Sequence, residues 1–401
     1  MSDVGQQMHA LIADLYPLCR SITGNGLRET LRRLPVPLVM HEVPTGTKVF
    51  DWTVPREWNI RDAYVKNDRG ERVIDFQKHN LHVLNYSVPV QARLPLAELR
   101  KHLFTHPEWI PYRTSYYAEQ WGFCLSERHL AQLPDGEYEV RIDSTLADGS
   151  LTYGEYYVPG ATTDEILISC HACHPSLAND NLSGVALTTQ LAQTIQPGRY
   201  SYRFLWIPGT IGAIAWLARN EDKVGRIKHG LVIAGVGDAG PVTYKKSRRG
   251  NAEIDRAAAH VVKNCREFSP YGYDERQYGS PGFNLPVGRL GRTPYGEYPE
   301  YHTSADNLEF VTPGALADSL AKVREILFVL EHNRSYRNVQ PKCEPQLGRR
   351  GLAPDLALLW VLNQSDGEHD LLAIAELAGL AFADIHAAAA TLEKHGLLAA
   401  C

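Results

Sequence analysis

Hydrophobic positions along this chain follow three rhythms in turn. Through roughly the first 35 residues Met8, Leu11, Ile12, Leu15 and Leu18 recur at helical spacing. A second short helix is expected after Gly26, carrying Leu27, Leu31 and Leu34. From His41 to about Pro111 the rhythm changes: Val, Tyr, Trp and Pro dominate, Asn67-Asp-Arg-Gly70 reads as a turn, and Leu81–Tyr86 alternates as a strand does. Tyr138 to Ile142 alternates likewise, after a turn at Pro134-Asp-Gly136.

From Thr152 to about Asn333, short continuously apolar runs take turns with helical periodicity. Glu165–Ser169, Arg203–Pro208 and His229–Gly235 predict buried strands; Ser183–Thr194 and Gly212–Asn220 predict helices. Such alternation indicates an α/β sheet covered by helices, with reactive groups on loops at the carboxyl ends of the strands. Gln340–Gly351 is a linker rich in Pro, Gly and Arg. Beyond it, Asp355–Asn363, Leu371–Ala378 and Ala383–His395 predict three short helices with a glycine turn between the last two, as in a winged helix. The expected layout is an α/β domain from residues 1–38 plus 131–338, an inserted β-rich domain at 39–130, and a winged-helix-like domain at 345–401.

Charge narrows the functional classes. The 401 residues carry 41 basic and 46 acidic side chains, a net of −5, which argues against bulk nucleic-acid binding. The last segment is more acidic still: from Gly351 onward seven acids accompany one lysine, Lys394, and the helix Ala383–His395 carries four consecutive alanines. Such a helix is expected to pack against another helix or subunit, so a homo-oligomer without nucleic acid is anticipated. No apolar run approaches the ~18 residues of a membrane span. The N-terminus has Asp3 and Asp14 and no basic leader, and seven scattered cysteines fit reduced thiols. A cytoplasmic protein without membrane contact is expected.

The densest chemistry lies between Ser169 and Gly184, directly after a predicted strand. His171 and His174 stand just past the strand, and Asp180 follows. Neutral imidazole and carboxylate are the ligands zinc takes in catalytic sites; the plainer alternative is a loop whose histidines satisfy backbone groups. A distant string favours the metal: Glu300-Tyr-His-Thr-Ser-Ala-Asp-Asn307 places His302 in a loop, with Asp306 spaced to accept its second ring N–H. Thr303 or Ser304 would equally serve as a helix cap there. Cys170 and Cys173 form a single CxxC, open to a redox role but lacking the second pair of a zinc ribbon. Lys245, Lys246, Arg248 and Arg249 form a short basic run that either faces solvent or holds an anion.

Asp180-Asn-Leu-Ser-Gly184 and Tyr301-His-Thr-Ser-Ala-Asp306 resemble the two clearest motifs of the two-metal zinc aminopeptidases. From about residue 8 to 400, the chain resembles the bacterial aminopeptidase-like proteins associated with polysaccharide biosynthesis. The matching strings are Cys19-Arg-Ser-Ile-Thr-Gly24, Val43-Pro-Thr-Gly-Thr-Lys-Val-Phe-Asp-Trp52, His171-Ala-Cys-His-Pro175, Tyr244-Lys-Lys-Ser-Arg-Arg249 and Gly272-Tyr-Asp-Glu-Arg-Gln277. The resemblance implies a zinc-aminopeptidase-like mixed sheet covered by helices, with a small β-rich insert and a C-terminal winged helix. It also implies one or two zinc ions, with Asp180 as the bridging carboxylate, Asp238 as a later carboxylate and His302 as the distal ligand. The first histidine stays open between His171 and His174, because the aminopeptidases have His-x-Asp where this chain has Cys173.

One departure bears on the chemistry. After the strand at Arg203–Pro208 the aminopeptidases carry Glu-Glu, a general base and then a zinc ligand; this chain has Gly209-Thr210. Glycine cannot move a proton, and threonine is a poor zinc ligand. The nearest substitute is Asp274-Glu-Arg-Gln277, with Glu275 as the base and Arg276 clamping a substrate carboxylate; a surface ion-pair cluster is the plain alternative. Glu297 and Glu300 are further candidates, and Tyr301 is expected to contact substrate. The expectation is a metallopeptidase-like hydrolase in which zinc-activated water attacks an amide, or an aminoacyl group is transferred, on a small amino-acid-like substrate. The alternative is a non-catalytic binding protein on the same scaffold, its base replaced by Gly209.

Overall fold

A computed structural model describes residues 2–401. The large sheet is built from β1 (Val39–Pro44), β2 (Ser150–Val158), β3 (Glu165–His171), β4 (Ser201–Ile207), β5 (Ile227–Ile233), β6 (Thr243–Lys245) and β7 (Val287–Gly291). Their spatial order is β1-β2-β4-β3-β5-β7-β6, and a short strand ending at Arg266 adds an edge beyond β6. Strands β4, β3, β5 and β7 run parallel, while β1, β2 and β6 pair antiparallel with their neighbours. All seven residues of β3 and of β4 are buried, which is why both read as continuous apolar runs. The parallel core sends the carboxyl ends of β3, β4 and β5 to one edge, where the candidate chemistry sits.

Helix α1 (Ser2–Leu15) buries Met8, Ile12 and Leu15, and α2 (Asn25–Arg33) buries Leu27 and Leu31, so the apolar spacing at the N-terminus is the helical one expected. Helix α3 (Gly184–Thr194) packs on β3 and β5, and α4 (Ile211–Arg219) follows β4. Gly24 precedes α2 at φ 94°, and a Cβ there would lie 2.1 Å from the Trp58 carbonyl oxygen. Only glycine allows both that backbone angle and that approach.

The β-rich insert forms a four-stranded antiparallel sheet in the order Arg72–Asp75, Glu57–Lys66, Glu137–Ala147, Val90–Pro95. Its extent differs from 39–130. Glu137–Ala147 lies at its centre, and Val39–Pro44 belongs to the large sheet. Alternation marks a stretch as a strand without naming its partner, and pairing here is long-range. Leu81–Tyr86 is not a strand: Asn80–His82 is a short 3₁₀ turn, and Val83 and Asn85 form isolated bridges. All six side chains are buried, so the alternation there did not mark a solvent face.

The chain divides into two compact units, residues 2–250 with 266–320 and residues 251–265 with 321–401. The second holds helices Leu356–Gln364, Leu371–Ala378 and Phe382–Lys394. Its three-stranded sheet has the order Asp366–Asp370, Ser335–Asn338, Leu398–Ala400. This is the winged-helix arrangement, and it begins at Ser335, ahead of the Pro-rich linker that suggested a boundary near 345. Within the alanine run Ala388 and Ala389 are buried.

At the opposite end of the central strands, Arg203 is clamped bidentately by Glu165, with Nε to Oε2 at 2.6 Å and Nη2 to Oε1 at 2.8 Å, and it also meets Glu155. Removing one partner from a buried pair strands the other charge. Glu165→Gln leaves Arg203 only Glu155 and is expected to cost about 2 kcal/mol, the loss of charged hydrogen bonds, read as a lowered urea midpoint with unchanged metal content. A midpoint equal to that of the wild type would contradict this account of the pair.

Candidate metal centre

Strand β3 ends on His171, and the following loop folds back so that Asp180 meets that imidazole. His171 Nε2 lies 2.8 Å from Asp180 Oδ1, and His302 Nε2 lies 2.9 Å from Asp180 Oδ2. His174 Nδ1 is 3.5 Å from the same Oδ2. Among the described residues, His171, His174 and Asp180 form a group whose ligand atoms all fall within 4.8 Å of one another. Asp180 is fully buried and His171 nearly so.

The surrounding hydrogen bonds position this set. The Asn181 amide donates to the carbonyls of His171 and Ile233, and its oxygen accepts from Gly235 N, tying the ends of β3 and β5 together. Asp306 accepts from the backbone N–H groups of Asn179 (2.5 Å) and Asp180 (2.9 Å). Arg20 Nε donates to the His174 carbonyl at 3.0 Å. His302 adopts a left-handed backbone, φ 56°, uncommon for a residue with a side chain. Tyr112, from the insert, donates its N–H to the His302 carbonyl at 2.7 Å and turns its ring onto His174 and His302.

Burial pushes the imidazoles of His171 and His302 down, toward the neutral form. Burial would raise the Asp180 carboxyl, but His174 and His171 outweigh it and hold it well below its usual range. The two tendencies oppose each other across shared hydrogen bonds, since an imidazolium is what would hold the carboxylate down. Burial of both rings favours neutral imidazole, which leaves a buried carboxylate in want of a cation. Imidazole nitrogens and carboxylate oxygens converging on one point fit a divalent transition metal.

Beside this set is a cavity of about 170 Å³ bordered by His171, His174, His302, Gly209, Asp274, Arg276 and four tyrosines, 271, 273, 295 and 301. The Tyr273 ring stacks on His171 and the Tyr301 ring on His302. Arg276 also borders a second cavity, about 330 Å³, with Trp52, Tyr116 and Tyr117. Asp274 is fully buried, and among the described residues neither of its carboxylate oxygens has a hydrogen-bond partner. Burial, with Glu275 adding and Arg276 opposing, pushes its carboxyl up from 3.8 to about 8.

Residues 9–333 match a family described as a domain of unknown function, DUF4910, and residues 334–400 match a winged helix-turn-helix family. The chain belongs to the DUF4910 family. It is 51% identical, over 99% of its length and 97% of the relative's, to a candidate polysaccharide biosynthesis protein with an aminopeptidase-like domain from Clostridium acetobutylicum. The crystal structure of a candidate peptidase from Clostridium acetobutylicum superposes with a TM-score of 0.97 at 51% identity, covering 100% of this chain and 97% of that one. A zinc aminopeptidase from Bacillus subtilis shares the fold at 11% identity and a TM-score of 0.57, over 81% of this chain and 95% of its own. The fold of this DUF4910 member is thus aminopeptidase-like, on a peptidase-like scaffold with a C-terminal winged helix. No helix among its described residues is long and apolar enough to cross a membrane.

Several expectations for individual residues need correction in this DUF4910 chain. Asp238 stands outside the group formed by His171, His174 and Asp180. Its Oδ1 accepts from Thr293 Oγ1 (2.6 Å) and Gly240 N (2.8 Å), and its Oδ2 accepts from Asn179 Nδ2 (3.1 Å). Glu275 does not line the cavity and binds Lys245 Nζ at 2.8 Å, whereas its neighbour Asp274 does line it. The string was informative, but a one-residue step along a turn reverses which carboxylate reaches the site. Asp306 serves backbone N–H groups rather than the second nitrogen of His302, and Thr303 braces a turn through the Glu300 carbonyl rather than starting a helix. Glu297 pairs with Arg266. Lys245 and Lys246 are held by Glu275 and Glu267. Cys170 and Cys173 are buried unpaired thiols that burial pushes upward, Cys173 to about 12, which disfavours redox chemistry. Arg276 and Tyr301 do line the cavity. Tyr112 carries no local signal, and Tyr273 is marked only as part of the string Gly272–Gln277; the topology brings both to the histidines.

Because the folded chain holds the Asp274 proton more tightly than the unfolded chain, the associated stability is complete below pH 3.8 and is lost as pH rises through about 8. In chelator-treated protein, Asp274→Asn should therefore raise the urea midpoint at pH 9 and leave it unchanged near pH 3.5. A midpoint difference independent of pH would contradict the assignment.

Proposed function

We propose that this chain is a zinc-dependent, aminopeptidase-like hydrolase acting on an amide or aminoacyl group of a small amino-acid-derived substrate. The observation that carries this proposal is the buried Asp180 carboxylate, one oxygen on His171 and the other on His302. His171, His174, Asp180 and His302 would hold one or two zinc ions. Zinc bound there supplies a Lewis acid for a carbonyl and lowers the pKa of water. The chain's own residues do the rest. Arg276 offers a guanidinium for a substrate carboxylate, the tyrosine wall restricts water, and the 170 Å³ cavity admits a group about the size of one amino-acid residue. The aminopeptidase-like scaffold supports this, and the name of the Clostridium acetobutylicum relative supports a substrate from polysaccharide biosynthesis. Gly209 favours a second possibility, a metal- or ligand-binding protein without turnover, since no acid stands at that strand end.

Protein purified without chelator is expected to contain one or two zinc ions per chain by elemental analysis, and His302→Ala should bind zinc at least ~10-fold more weakly. Wild type without stoichiometric metal would sink the hydrolase proposal. Full zinc content with no turnover on any aminoacyl p-nitroanilide would favour the binding protein.

A further inference from the structure

We infer that Asp274 is the catalytic carboxylate that moves the proton in this site, standing beside the strand end where position 209 carries no side chain. This rests on the hydrolase proposal above and supplies the group it lacks. A Cβ built at Gly209 would lie 3.5 Å from Asp274 Oδ2 and 3.0 Å from the His171 Cβ. Asp274 Oδ2 thus stands at van der Waals distance from where a side chain at position 209 would begin, and both residues line the cavity. Asp274 reaches the cavity from the start of the short helix Glu275–Tyr278, on a different segment of the chain.

Nothing structural accounts for Asp274 being there. An unpaired buried carboxylate is costly, and the fold usually supplies it with donors. Here both oxygens lack hydrogen-bond partners among the described residues, whereas the adjacent Glu275 has Lys245 on one oxygen and lacks a partner on the other. The titratable groups around it are Glu275, Arg276, Tyr278, Cys170 and Cys173. Arg276, also at the cavity, is the one cation among them. Burial leaves the carboxyl near neutrality, where a group both takes and returns a proton readily.

The step balances as an ordinary hydrolysis. A water oxygen bonds to the amide carbon as one of its protons passes to ionised Asp274. The carbon–nitrogen bond then breaks as Asp274 returns that proton to the leaving nitrogen. The products are a carboxylate and an ammonium group, the water's second proton ending on the amine, and Asp274 is ionised again.

The test uses the full chain, zinc-loaded, as wild type and Asp274→Asn, with a panel of L-aminoacyl p-nitroanilides. Asp274→Asn is expected to keep its zinc and to lose roughly 10²–10⁴-fold in kcat. A second measurement needs no variant to turn over. In wild type carrying ¹³C-labelled aspartate, the carboxyl resonance absent from Asp274→Asn should titrate at the same pH as a limb of the wild-type rate profile. An active wild type with an equally active Asp274→Asn overturns the inference alone, as does a resonance whose titration matches no limb. Loss of zinc from Asp274→Asn also overturns it, making the residue a ligand. A zinc-loaded wild type inert toward the whole panel overturns the hydrolase proposal and this inference with it.

Discussion

A single buried carboxylate governs this site. Asp180 has no exposed surface, and burial pushes two of the imidazoles aimed at it, His171 and His302, toward the neutral form. Neutral rings cannot cancel its charge. A fold that keeps such a group must supply a cation or bear a heavy desolvation cost, and the nitrogen lone pairs gathered around it are what a divalent metal takes up. The backbone bonds from Asn179 and Asp180 to Asp306, the Asn181 bridge between β3 and β5, and the Arg20 bond to the His174 carbonyl all hold that arrangement in register.

Architecture makes this economical. Four parallel strands end along one edge, so residues far apart in sequence arrive at one place without long excursions. His302 is the exception, reached through a loop in a left-handed conformation. The insert braces that loop: Tyr112 bonds its carbonyl, and Ile110 and Ser304 exchange hydrogen bonds on either side. The β-rich insert is therefore part of the construction of the site as well as its wall.

The same edge brings a carboxylate from another segment beside the end of β4. Position 209 carries no side chain next to His171, and the Asp274 carboxylate lies 3.5 Å from where one would begin. Position and ionisation come from different sources: the loop after Gly272 provides the reach, and burial sets the proton affinity. Glu275, one residue on, is paired with Lys245 through one of its oxygens.

The sequence by itself determined the fold class, the strands β3, β4 and β5, helices α1 to α4, and the winged helix. These depend on local periodicity, and a continuously apolar run or a 3.6-residue repeat is visible without knowing its neighbours. It also singled out His171, His174, Asp180 and His302, because a cluster after a strand end and a His-Thr string are compact signals. Only the tertiary structure decided the rest. It placed Glu137–Ala147 in the insert, drew Asp238 toward Thr293 and Asn179, and turned Asp274 rather than Glu275 to the cavity. Strand partners, and the facing of one carboxylate against its neighbour, depend on contacts between residues far apart in the chain. No local pattern carries that information, since a shift of one position along a turn or strand changes the direction of a side chain while leaving the composition of the segment the same.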